Sequence, residues 1–158
     1  MKKTTAFLVV ALLQALVLIQ PAGAAESIAD DTLYARIGGE AKLERIADRL
    51  IDESAQDPKT SRTFQQKVNI KRLKALLTEQ LIALSGGPKP YTGENMKVSH
   101  AGMGLSEAEF YGMVEHLRSI LDSEGVGERE KNELLRLLAP MKRDIVEAPT
   151  KPVAKTAE

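Results

Sequence analysis

Cysteine is absent from this chain, so no disulfide can form and stability rests on the hydrophobic core alone. Nor does any run alternate polar and apolar residues as a strand would, and no segment recurs at a repeat length. An excess of one charge is missing too. The 22 Lys and Arg residues balance 22 Asp and Glu, and without a basic stripe nucleic acid is excluded as a partner. Histidine is scarce, with 2 in the chain, His100 and His116.

What is present begins with Met1-Lys2-Lys3, an apolar run from Ala6 to Leu18 interrupted mainly by Gln14, and then Pro21-Ala22-Gly23-Ala24-Ala25. Charge, apolar run and small residues in that order predict a secretory signal peptide over residues 1–24, cleaved near Ala24. A retained anchor is the alternative, since the run approaches the roughly 18 apolar residues of a membrane span. Export is the expectation, periplasmic in a double-membraned bacterium, with no stable membrane insertion after cleavage. Loss of Lys2 and Lys3 leaves 20 basic against 22 acidic residues, a net charge of −2.

Helical spacing dominates the remainder. Leu43, Ile46, Ala47, Leu50 and Ile51 form one apolar face, broken by Asp57-Pro58, after which Phe64 is a lone large apolar side chain expected to fold inward. Asn69 is placed to cap a helix with Leu73, Leu77, Leu81 and Leu84 on its face. Ser106-Glu107-Ala108-Glu109 is a capping box, with Leu105 and Phe110 as its hydrophobic staple. That helix stops at Glu124-Gly125. A last one starts at Gly127-Glu128 and is expected to present Leu134, Leu137, Leu138, Met141 and Ile145 to the core. The tail, 148–158, has no periodic face and is expected to be disordered. Spacing alone thus predicts an all-α domain of four good helices around a common core.

Between the second and third of these helices lies Gly86-Gly87-Pro88-Lys89-Pro90-Tyr91-Thr92-Gly93, a turn-rich loop. It leads to a short segment ending in His100 and then to Gly102 and Gly104. His100 is therefore presented on a single helical turn between flexible joints, the setting of a ligand. His116 lies between Val114 and Leu117 among charged neighbours and reads as a boundary residue.

Taken together, Gly86-Gly87-Pro88, Tyr91-Thr92-Gly93, Met96, His100, Gly102 and Gly104-Leu105 resemble the proximal half of the group I truncated haemoglobins. The resemblance extends to Leu33-Tyr34, Ile37-Gly38-Gly39, Phe110, Leu117, Gly125-Val126 and Pro140. It implies a truncated globin domain over 25–147 with a two-over-two helical sandwich, and haem as cofactor with His100 as proximal iron ligand. Without cysteine for covalent attachment, the group would be haem b held by one axial bond and packing. Tyr91, Thr92 and Lys97 are implied contacts to the propionates, and Phe64 packs on the haem face.

The distal side departs from the family. Its usual Tyr falls on Ile51 and its usual Gln on Leu77, with Leu73 one turn earlier, so the implied pocket is apolar and Gln80 is the nearest polar group. Three uses stay open at this point. One is a monomer binding a diatomic gas for storage, sensing or nitric oxide chemistry, with a reductase unidentified by the sequence. Another is a six-coordinate electron-transfer haem protein with Met96, Met103, Lys74 or His116 as second ligand. The third is a haem-free exported interaction module. N-terminal sequencing of protein from the envelope fraction is expected to begin next to Ala24; an intact Met1 on membrane-held protein would make the chain an anchored one.

Overall fold

The computed structural model describes residues 31–65 and 68–147. The expected signal peptide and tail lie outside the described residues. In chain order the helices are α1 (Leu33–Ile37), α2 (Gly39–Gln56), α3 (Ile70–Leu84), α4 (Met96–His100), α5 (Glu107–Ser123), α6 (Glu128–Leu138) and α7 (Lys142–Ile145). Short 3₁₀ turns span Ser61–Phe64 and Ala139–Met141. No strand occurs among the described residues.

Capping side chains start most of these helices. Thr32, Asn69, Asn95 and Ser106 each accept a backbone N–H of the first turn, and Ser106 with Glu109 completes the capping box. The helix α3 closes in a Schellman motif. Gly86, at φ 82°, donates its N–H to Ala83 O at 3.3 Å, and Gly87 donates to Ile82 O at 2.8 Å. Tyr34 N–H then donates to Ser85 O at 2.8 Å, which docks α1 on this turn. Here close approach requires glycine: a Cβ on Gly87 would lie 2.6 Å from Ile82 Cγ2 and 2.7 Å from Tyr34 Cδ2.

The architecture is a two-over-two helical sandwich in which α2, α3, α5 and α6 share one core. The helix α2 packs on both α3 and α5, and α1 packs on α6. Its expected apolar face is buried in full, from Leu43 through Ile51. Leu43, Ile46 and Leu50 share one core with Leu81 and Ile82 of α3, Leu117, Ile120 and Leu121 of α5, and Leu134 of α6. Ion pairs tie the outer edges: Arg45 and Arg49 of α2 both reach Glu124 beyond α5, at 3.3 and 3.2 Å. Arg36 of α1 holds Glu130 and Glu133 of α6.

One expectation needs correction. The last helix does not run unbroken to Ile145; α6 ends at Leu138 and α7 starts at Lys142. Pro140 is the physical reason, because it has no N–H to donate and its ring crowds the carbonyl one turn back. Beyond the break, α7 packs against α4.

Gly87→Ala is expected to lower stability by about 1–3 kcal/mol through overpacking against Ile82 and Tyr34, measured as a fall in the urea midpoint.

Candidate functional site

The faces of α2, α3, α4, α5 and α7 do not fully interdigitate. They surround an apolar cavity of about 370 Å³. From α2 comes Ile51, and from α3 a stripe of Leu73, Leu77 and Gln80, which helical spacing puts on one face. Phe64 and Val68 enter from the connection between those helices, which confirms the inward turn expected of Phe64. The short α4 contributes Met96 and His100, four residues apart and so on one side of their helix. Phe110 and Met113 of α5, with Met141 and Ile145 near α7, complete the wall.

His100 has a defined setting. Its Nδ1 lies 2.8 Å from Met96 O and, as the N–H tautomer, donates to that carbonyl. Its Nε2 has no hydrogen-bond partner among the described residues, and the ring is half-buried. A bond of this kind from one ring nitrogen fixes the tautomer and leaves the other nitrogen's lone pair for a metal. His116 is elsewhere. Its Nε2 is 2.9 Å from Asp57 Oδ2 and its Nδ1 faces Glu53, so it joins α5 to the end of α2. Asp57 is held below the usual carboxylate range by the Lys59 backbone N–H first and by His116 next.

Of the other residues singled out in the sequence, Ile51, Phe64, Leu73, Leu77, Tyr91, Met96 and His100 all line the cavity. Thr92 and Lys97 do not. Thr92 is exposed, and both its N–H and its hydroxyl donate to Glu79 Oε2, at 3.0 and 2.6 Å. Those two bonds pin the loop to α3 and pull Glu79 below its usual pKa. Tyr91 spends its hydroxyl on Glu94 O at 2.9 Å. Lys97 is exposed, one turn ahead of His100. Leu76 also lines the cavity, whereas Thr78 turns its hydroxyl to Lys74 O at 3.0 Å, so the α3 wall is apolar in either register.

Two polar residues on the cavity wall make contacts that the sequence alone does not show. Gln80 does face the cavity, yet its amide N–H groups point at thioether sulfurs, Met96 Sδ at 3.2 Å and Met141 Sδ at 3.7 Å. Such acceptors are weak. The second is Glu109, which lines the cavity while belonging to the capping box. Arg62 grips its carboxylate with two N–H groups at 2.6 and 2.8 Å, and Ser106 N–H donates at 2.8 Å. Arg62 foremost, aided by Ser106, holds the Glu109 carboxyl at about 2 against its usual 4.5, although burial opposes the shift.

A family model of bacterial-like globins matches residues 32–147. The chain belongs to that family. It is 34% identical over 114 residues to the group 1 truncated hemoglobin GlbN of Mycolicibacterium paratuberculosis, covering 72% of this chain and 83% of the relative. The GlbN of Nostoc commune is 30% identical, covering 73% and 97%. The crystal structure of truncated hemoglobin from Tetrahymena pyriformis in its Fe(III) form superposes with a TM-score of 0.70 at 26% identity, covering 74% of this chain and 99% of that one. A truncated globin fold of this kind implies haem, and the cavity fits one in two respects: its walls are apolar, and it holds one imidazole oriented by a backbone carbonyl.

Because the folded pKa of Glu109 is depressed, the stability it adds is fully present above 4.5 and is lost as pH falls toward about 2. Glu109→Gln is expected to remove on the order of 2 kcal/mol at neutral pH, discounted for the solvent-facing side of Arg62, and to flatten the acid limb. Urea titrations from neutral pH into that acid range measure both effects.

Proposed function

We propose that this globin holds haem b non-covalently through His100 Nε2 and reversibly binds a diatomic gas in an apolar pocket. The observation that carries the reading is the Nδ1 contact of His100 to Met96 O, which leaves Nε2 available beside the cavity. Haem held here through His100 would supply an iron able to take a small diatomic ligand. The chain supplies the rest. Met96 O accepts from Nδ1 and so orients the ring in one tautomer. Phe64, Phe110, Met113 and Leu117 present apolar surface that excludes water from a flat apolar group. Lys97, exposed one turn from His100, offers a cation to a propionate.

The absence of a donor from Ile51, Leu73 and Leu77 supports a particular ligand preference. Dioxygen develops partial negative charge and gains from a nearby N–H or O–H, whereas carbon monoxide gains much less. A pocket with no donor at those three positions, and with the Gln80 amide turned to sulfur atoms, releases dioxygen readily, which favours nitric oxide or carbon monoxide binding, or turnover with an external reductase, over oxygen storage. Six-coordination by a side chain is disfavoured. Lys74 pairs with Asp52 at 2.7 Å and His116 with Asp57. Met96 and Met103 stand on the segment that carries His100 itself, while α2 and α3 bring leucines, an isoleucine and Gln80. The proposal includes export of a monomer to the periplasm after cleavage near Ala24; among the described residues no helix is long and apolar enough to cross a membrane.

His100→Ala is expected to abolish the axial signature of the ferrous spectrum and most haem retention; an unchanged signature would remove His100 from the role. Introducing Ile51→Tyr with Leu77→Gln should slow dioxygen dissociation by about tenfold to a hundredfold, the value of a hydrogen bond to a charged acceptor. Stopped-flow dissociation checks it. Slow release in the natural protein, unaltered by the pair, would point to a donor already present and contradict the apolar-pocket reading.

A further inference from the structure

The helix that carries His100 is poorly anchored by itself. It is five residues long, none of them fully buried, and it packs against α7, which is shorter still. Its C-terminal continuation, residues 101–105, is held instead by two charged side chains from distant parts of the chain. Gly102 and Gly104, at φ 76° and 59°, turn their N–H groups onto the two carboxylate oxygens of Glu147, at 2.6 and 2.7 Å. No atom lies within 4 Å of a Cβ built on either glycine. These glycines therefore serve backbone shape rather than space, and that shape aims both N–H groups at one anion. Glu147 N–H in turn donates to Leu105 O at 2.9 Å.

Two carbonyls of the same segment go to Arg62. Arg62 donates to Met103 O at 3.2 Å and to Gly104 O at 2.9 Å, with its remaining donors on Glu109. Arg62 lies on the 3₁₀ turn that carries Phe64 to the cavity. The segment after His100 is thus gripped at two N–H groups by Glu147 and at two carbonyls by Arg62, from the wall that carries Phe64.

We propose that Glu147 and Arg62 are positioning residues for His100, a clamp that sets how the imidazole meets the haem iron. The clamp rests on the haem reading above. It acts through the backbone of 101–105, so it governs imidazole orientation and haem residence without touching the haem. The charge-assisted bonds of Glu147 replace packing that α4 does not have.

The test uses haem-loaded protein with Glu147→Ala and Arg62→Met, and Glu147→Gln and Arg62→Lys as conservative partners. Three quantities are read: the ferrous iron–histidine stretching band, the rate of haem transfer to excess haem-free myoglobin, and amide exchange at Gly102 and Gly104. The expected result is a shifted or broadened band, haem loss faster by about tenfold, equivalent to ~1.4 kcal/mol, and faster exchange at both glycines. Glu147→Gln, which keeps one acceptor oxygen, and Arg62→Lys should fall between natural protein and the disruptive variants. An unmoved band in both disruptive variants overturns the clamp, even if haem leaves faster, because general loosening would do that. A natural protein with no haem spectrum overturns the haem reading and the clamp together. A normal natural spectrum shared by all the variants overturns the clamp alone.

Discussion

Two apolar walls have to be kept apart, and the rest of the fold follows from that constraint. Interiors close-pack when nothing prevents it, and the leucines of α3 facing the methionines and phenylalanine of α4 and α5 have every hydrophobic reason to meet. What sets their separation lies at the edges. The core of α2, α3, α5 and α6 is dense where Leu43, Ile46, Leu81, Ile120 and Leu134 are wholly buried. Toward α4 and α7 burial gives way to polar ties. Arg62 with Glu109, Thr92 with Glu79, and Glu147 with the Gly102 and Gly104 amides hold backbone segments around the cavity rather than across it. Surface ion pairs contribute little to stability on average, but bidentate and backbone-directed ones fix geometry.

Within that frame the site has an economical chemistry. One imidazole is oriented by a carbonyl of its own helix, so its tautomer does not depend on a partner from elsewhere. The remaining polar groups around the cavity are occupied: Tyr91 by Glu94, Glu109 by Arg62 and Ser106, and Gln80 by sulfur atoms. Gln80 is the least strongly held of these, because a thioether accepts weakly.

The helices and their starts could be read from the chain because they depend on local signals. The capping box at Ser106, the Asn69 cap, the Gly86-Gly87 stop and the apolar face of α2 all depend on residues within a turn or two. His100 stood out from His116 for the same reason, by its loop and flanking glycines, and the two do occupy different places, the cavity wall and an ion-paired helix junction. The split of α6 from α7 was missed although Pro140 is visible, since the apolar spacing continues through it to Ile145. Less legible were contacts between residues far apart in sequence. Arg62 meets Glu109 across 47 positions and Glu147 meets Gly102 across 45, and no spacing rule connects such pairs. Thr92 turning to Glu79 instead of the cavity is of this kind, because a loop hydroxyl goes to whichever acceptor the tertiary fold brings near.

The central claim is that one imidazole, and no second side chain, addresses the cavity as an iron ligand. The most direct measurement is the visible and resonance Raman spectrum of the ferrous haem-loaded protein, with no gas added. A five-coordinate, high-spin spectrum with a single iron–histidine band is the predicted result. A six-coordinate, low-spin spectrum would contradict the account, because it would require a second protein ligand opposite His100, where α2 and α3 bring leucines, an isoleucine and Gln80.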